Sequence, residues 1–320
     1  VQTNMLANLL FNRIPLLVVL ALCFRHETEL LAQQESASST VLARVNGENI
    51  TAGDLQFWQL IHQQSDKPLS KPQRKQVLDQ LINQQLISDF LKHRKIIADP
   101  FLIDEHYEHL ENLIEKRGSQ PRDVFEKLGL SPADVKTTIR FQVAWQKYCQ
   151  LAITNDKIRQ HYQAHQEQYD GTKLRASQIV VLLSDADDAD ALQDAKATLT
   201  EARQQITSGE LTFADAARKY SRAPSRLNGG DVGWFPYRGK MPLSFTKVAF
   251  TLKPKQISEV VQSPFGLHLI QVTDQKAGDL SLEDCRSIIY RDLCQELYNN
   301  TAAEQQKTAK IEYAPTDNRD

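Results

Sequence analysis

Gly229-Gly230-Asp231-Val232-Gly233-Trp234-Phe235 is a glycine-rich turn that runs into aromatic residues. Further along, Phe265-Gly266-Leu267-His268-Leu269-Ile270 reads as a short alternating strand with a histidine inside it. Between them lie Met241-Pro242-Leu243-Ser244-Phe245 and Val248-Ala249-Phe250. Working outward, residues 174–183 alternate, with Ala176, Gln178, Val180 and Leu182 on one face of a strand. Leu192, Ala195, Leu199, Ala202 and Ile206 recur at helical spacing, as do Phe213, Ala216, Ala217 and Tyr220 over a shorter stretch. Phe245, Val248 and Ala249 mark a third helix, and a last strand over 267–272 places His268, Ile270 and Val272 on one face. This order of strand, helices and strands predicts an α+β module with a small antiparallel sheet.

The three patches, in this order and spacing, resemble the parvulin (PpiC-type) family of peptidyl-prolyl cis-trans isomerases over roughly Thr172 to Asp274. The resemblance implies a proline pocket lined by Met241 and Phe245 with Val232 and Phe235 beside it, and a polar group of Gln178, Ser263 and His268 at the catalytic position. His268 is expected to hold a hydrogen-bond network under the pocket floor, because bond rotation demands no proton transfer. The sequence departs from the family twice. Gln178 stands in Ala176-Ser177-Gln178-Ile179 where the family usually has histidine, and Ala223 falls where it usually has Asp or Cys. Glutamine still hydrogen-bonds a neutral imidazole. No acid or thiol lies between Ser221 and Gly230. Ser184-Asp185-Ala186-Asp187-Asp188 is acidic where phosphate-selecting parvulins are basic, which disfavours phospho-Ser-Pro recognition.

The 320-residue length predicts more than one domain, and 24% charged with 41% hydrophobic residues is ordinary globular composition. With a net charge of -2 there is no basic excess to hold a phosphate backbone, so no nucleic-acid partner is expected. After Asn12-Arg13, the apolar run 14–24 reads as the core of a signal peptide or an anchor over 1–32, and residues 33–40 as a linker. Leu20-Ala21-Leu22-Cys23 is similar to a lipoprotein cleavage box except for the bulk of Leu22. The segment predicts export to the bacterial periplasm or envelope, with membrane attachment only through it. Cys149, Cys285 and Cys294 have no metal-ligand spacing, and a bridge from Cys149 to one of the other two is an expectation for an oxidising compartment.

Residues 41–170 read as a hairpin around Asn46-Gly47 followed by helices. Ser70-Lys71-Pro72-Gln73 and Ser131-Pro132-Ala133-Asp134 are helix starts, while Asp99-Pro100 is read as a stop. This region resembles the helical chaperone domain of SurA-, PpiD- and PrsA-type proteins. That likeness implies a parvulin domain at 172–275 inserted in the chaperone domain, with a C-terminal helix and strand over 280–320 packing on the N-terminal part. His106/His109 and His161/His165 share helix faces, but no acidic or cysteine ligand stands at a matching offset. The expected activity is prolyl isomerisation with chaperone action on unfolded or maturing polypeptides, without a cofactor. The other reading is a parvulin-fold peptide-binding module with weak or no catalysis, which could serve a single export or assembly system.

Overall fold

The structure is a computed structural model and describes residues 40–62, 69–127, 130–183 and 189–314. The signal or anchor segment, most of the expected linker and the acidic run 184–188 lie outside the described residues. The chain divides into two compact units, one of Val1–Thr154 with Asp292–Asp320 and one of Asn155–Arg291. Among the described residues no helix is long and apolar enough to cross a membrane.

The first unit opens with strands β1 (Val41–Val45) and β2 (Glu48–Thr51). Their turn, Asn46 at φ 51° and Gly47 at φ 96°, has the positive angles that match the twist of a tight hairpin. Helices α1 (Ala52–His62), α2 (Lys71–His93), α3 (Pro100–Lys116), α4 (Pro121–Lys127) and α5 (Pro132–Ala152) follow. The starts at Ser70 and Ser131 carry their capping bonds, Ser70 N to Gln73 Oε1 at 2.9 Å and Ser131 N to Asp134 Oδ2 at 2.9 Å. Asp99-Pro100 opens a helix rather than ending one. Asp99 accepts from Phe101 N at 3.0 Å, and Pro100 occupies the first turn, where its missing N–H costs nothing. Ile87, Leu91, Ile103, Tyr107, Leu110, Ile114, Ile139 and Val143 fill one core.

The chain returns to this unit at its far end. The later part of α10 (Leu282–Gln306) contributes buried Ala302 to the same core. Strand β7 (Ile311–Tyr313) pairs antiparallel with β1, Val45 opposite Ile311 and Ala43 opposite Tyr313, in a sheet of order β2-β1-β7. Ala43, Val45 and Ile50 then bury against Ile82 and Leu86 of α2.

The second unit begins with α6 (Asn155–Ala164) and holds a four-stranded sheet of order β4-β3-β6-β5. Its strands are β3 (Lys173–Leu182), β4 (Asp231–Pro236), β5 (Val261–Ser263) and β6 (Gly266–Lys276), and every neighbouring pair is antiparallel. Because side chains alternate along a strand, the sheet has two separate faces. Ile179, Leu267 and Leu269 pack against α7 (Ala189–Thr207) and α8 (Phe213–Tyr220). Leu174, Ala176, Ile270 and Val272 pack against Phe245 and Ala249 of α9 (Leu243–Ala249).

This unit is wider than residues 172–275. Tyr162 Oη donates to Leu280 O at 2.7 Å and Cys285 Sγ to Tyr169 O at 3.1 Å, so α6 and the start of α10 belong with the sheet. The chain enters and leaves the sheet side by side. Lys173 pairs with Lys276, Leu280 N donates to Asp170 O at 2.9 Å, and Gly278 N donates to Thr172 Oγ1 at 3.0 Å. A Cβ on Gly278 would stand 2.0 Å from Asp170 O, so only glycine fits there.

Candidate functional site

His268 sits on β6, between β3 and β5. Its register partners are Val180 on one side and Val261 on the other, while Gln178 pairs with Ile270 and Ser263 with Gly266. Gln178 and Ser263 therefore both stand diagonal to His268 on the same face, within reach of a side-chain contact. Ser263 Oγ lies 2.6 Å from His268 Nε2, and Gln178 Oε1 lies 3.1 Å from His268 Nδ1. An amide oxygen only accepts, so Nδ1 carries the ring proton and Nε2 accepts from the serine hydroxyl. Ser263 Oγ in turn accepts from Phe265 N at 3.1 Å. Burial pushes the His268 pKa down to about 4, which keeps the ring neutral near pH 7. A neutral ring held at both nitrogens is suited to fixing a position in the sheet.

The apolar side of the site lies next to this network. The Phe245 ring meets His268 edge-on, with centroids 5.8 Å apart at 84°, and meets Phe235 at 5.7 Å and 72°. Phe235 also faces Phe250 at 6.5 Å. Phe235 and Phe245 are both 0% exposed, whereas Val232 and Met241 are half-buried at the edge of the same cluster. Of the four residues expected to line a pocket, two are thus fully buried and two lie half-buried against them. Val232 owes its place to a bulge. Ala176 pairs with Gly233 and Ser177 with Asp231, which leaves Val232 without a partner on β3. Gly233 takes φ 70°, and Asp231 Oδ1 accepts from Gly233 N at 2.9 Å. A bulge of this kind bends the strand and re-aims a side chain. Arg175 holds the turn from β3, 2.6 Å from Asp231 Oδ2, and this pairing lowers the pKa of the carboxyl.

The loop from Ser221 to Gly230 closes the site on a third side, anchored to β3. Arg222 N donates to Val180 O at 2.8 Å, and Ser221 Oγ accepts from Val180 N at 3.1 Å. Gln178 N donates to Gly230 O at 2.9 Å. Ala223 is buried, and its N–H reaches Ser221 Oγ at 3.4 Å. Its methyl brings no polar atom to a loop fixed opposite His268. Ser221 and Ser258 were not among the expected site residues. Both are buried, and Ser258 Oγ accepts from Ile270 N at 2.9 Å, one strand pair from the network. Only the Tyr220-Ser221 step before the glycine loop hinted at the first, and nothing at the second.

Residues 179–274 match the Rotamase family model, described as the PPIC-type PPIASE domain. The chain carries a PpiC-type domain. The similarity also extends beyond this domain. Foldase protein PrsA of Geobacillus sp. (strain WCH70) is 30% identical over 200 residues, covering 61% of this chain and 64% of that protein. Chaperone SurA of Thiobacillus denitrificans is 23% identical over 256 residues, covering 76% of this chain and 58% of that protein. A crystal structure of the peptidylprolyl isomerase PrsA from Bacillus anthracis aligns at 23% identity and a TM-score of 0.44, over 72% of this chain and 95% of that one. The chain spans 54% to 64% of the lengths of such curated relatives. Its PpiC-type domain contains His268, Ser263, Met241 and Phe245, and Gln178 stands one residue before the matched segment.

His161 Nε2 is engaged by Tyr169 Oη at 2.9 Å, and His165 Nδ1 by His161 O at 3.0 Å.

Proposed function

We propose that this protein is an exported peptidyl-prolyl cis-trans isomerase of parvulin type that also acts as a folding chaperone for envelope or secreted polypeptides. The observation that carries this reading is the neutral, doubly held His268 set edge-on against the buried Phe245 ring. An X-Pro bond rotates slowly because its amide has partial double-bond character, with a barrier of roughly 20 kcal/mol. No bond is made or broken, so the catalyst has only to bind the twisted amide better than either planar form. In this reading the proline ring enters between Val232 and Met241 and rests over Phe235 and Phe245. Gln178, His268 and Ser263 keep that floor rigid and contribute no charge to it. The twisted amide, stripped of resonance, is then held in a dry apolar setting.

The chaperone part rests on the similarity to foldase and chaperone proteins outside the PpiC-type domain. In the first unit Ile97, Phe101 and Leu151 are 70%, 72% and 63% exposed, and such apolar surface suits unfolded chain. Export, and any attachment to a membrane, rests on the apolar run 14–24 after Arg13.

A second reading is favoured by Ala223, whose methyl stands where an acid or thiol is usual in the family: a proline-peptide clamp with little turnover. The test is cis/trans exchange of an X-Pro peptide measured by NMR with the full chain, beside its Gln178→His, Ala223→Asp double variant. Exchange with the wild type supports the enzyme. Exchange with the variant alone would overturn it and leave the clamp.

A further inference from the structure

Two sulfurs in the first unit face each other across a helix pair. Trp145 on α5 meets Tyr298 on α10 edge-on, with ring centroids 5.3 Å apart at 85°. Ala302, one turn beyond Tyr298, is buried in the core that includes Val143 and Ala144. Along α5 the sequence runs toward Cys149, and along α10 it runs away from Cys294. One helical turn past Trp145 is Cys149, and one turn before Tyr298 is Cys294, so antiparallel packing brings the two cysteines to the same level. The Cys149 thiol has that of Cys294 as its neighbour. No disulfide joins them in this structure.

We infer that Cys149 and Cys294 are a dithiol–disulfide pair, linked by a small-molecule disulfide oxidant so that α10 is tied to α5. Cys294 is half-buried while Cys149 is 2% exposed, so Cys294 is the sulfur an oxidant reaches first. Hydrogen bonding to Cys294, and then burial, push the Cys149 thiol above its ordinary range, so it stays protonated in the reduced pair and Cys294 is the sulfur that reacts first. The Cys294 thiolate attacks one sulfur of the oxidant, forming a mixed disulfide and releasing one thiol. Cys149 then gives up its proton and attacks the Cys294 sulfur, releasing the second thiol. The protein loses two electrons and two protons, and the oxidant becomes two thiols. Cys285 lies in the other unit, where its Sγ donates to Tyr169 O, so it takes no part.

The bond would close a loop holding all of the second unit, Asn155–Arg291. Loops of that length gain much from a crosslink, because it removes freedom from the unfolded chain.

The test uses the purified full chain equilibrated in glutathione buffers from reducing to oxidising, then alkylated and digested without reduction for mass mapping. The expected result is a linked Cys149–Cys294 peptide, formed equally in a Cys285→Ser variant and absent in Cys294→Ser. The melting midpoint of the oxidised protein should rise by about 5–10 °C over the reduced protein, and this rise should vanish in Cys294→Ser. Three results would overturn the inference: both thiols remaining alkylable in oxidising buffer, Cys294 capped by glutathione with Cys149 still reduced, or a bridge that uses Cys285 or Cys23.

Discussion

Ser263 Oγ lies 2.6 Å from His268 Nε2, and the serine donates to the histidine across the β5–β6 pair. Both side chains are buried. Replacing Ser263 by Ala leaves Nε2 without a donor in a dry site, and the unfolding free energy should fall by about 1–3 kcal/mol. Ser263→Thr keeps the hydroxyl and should recover most of the loss. Urea unfolding of the three proteins decides it, and equal midpoints for Ala and wild type would rule out the bond as a structural tie.

The same histidine sets a pH dependence. Burial lowers its folded pKa to about 4, below the ordinary value of 6.5. The unfolded chain therefore takes up a proton that the folded one refuses. Stability from this group is fully present above pH 6.5 and is lost as pH falls toward 4, with a total change of about 3 kcal/mol. A His268→Gln variant should show a flatter stability profile across that window. A wild-type profile level between pH 4 and pH 6.5 would contradict the neutral buried ring.

Met241 and Phe245 should separate binding from stability. Met241 is half-buried against the Phe235–Phe245 cluster, so under the proposed function Met241→Ala should weaken a proline peptide several-fold with a modest change in melting temperature. Phe245 is 0% exposed, and Phe245→Ala should cost about 3–5 kcal/mol of folding stability. Peptide titration by NMR, paired with thermal melts, tests the division. A Met241→Ala protein that binds as tightly as wild type would remove that residue from the pocket.

Gly230 has φ 86°, and a Cβ there would stand 2.4 Å from Gln178 O. Gly230→Ala should cost about 1–3 kcal/mol from backbone conformation alone and more from pushing on β3. Gly239, at φ 99°, has nothing within 4 Å of its would-be Cβ, so Gly239→Ala should show only the conformational cost. Chemical-shift changes reaching Gln178 and His268 in the first variant and not in the second would identify the strand contact. Their absence from both would contradict it.

Much of the second unit was legible because its strands alternate cleanly. Gln178 and His268 fall on the face that the period of two assigns them, and the structure joins them there. Strand β5 was not legible, since three residues carry no period and pair only because β6 supplies the partner. Burial of Phe235 and Phe245 was hidden for a different reason: a pocket wall and a core residue have the same side chains, and only packing tells them apart. Asp99-Pro100 was misread as a stop because the same dipeptide serves as cap and first residue of a helix. The edges of the second unit at 155 and 291 rest on bonds such as Tyr162 to Leu280, which join residues far apart in sequence and leave no local trace.

The pairing of β1 with β7 has a consequence for the order in which the protein can mature. Val45 waits for Ile311, so the first unit cannot close its sheet until residues more than two hundred and sixty positions later are available. The second unit is one unbroken stretch, Asn155–Arg291, and needs nothing from outside it to complete its own sheet. During synthesis, the piece that comes second in the chain can thus be finished first. The β1–β2 hairpin meanwhile stays incomplete, with one strand edge unpaired, until β7 arrives.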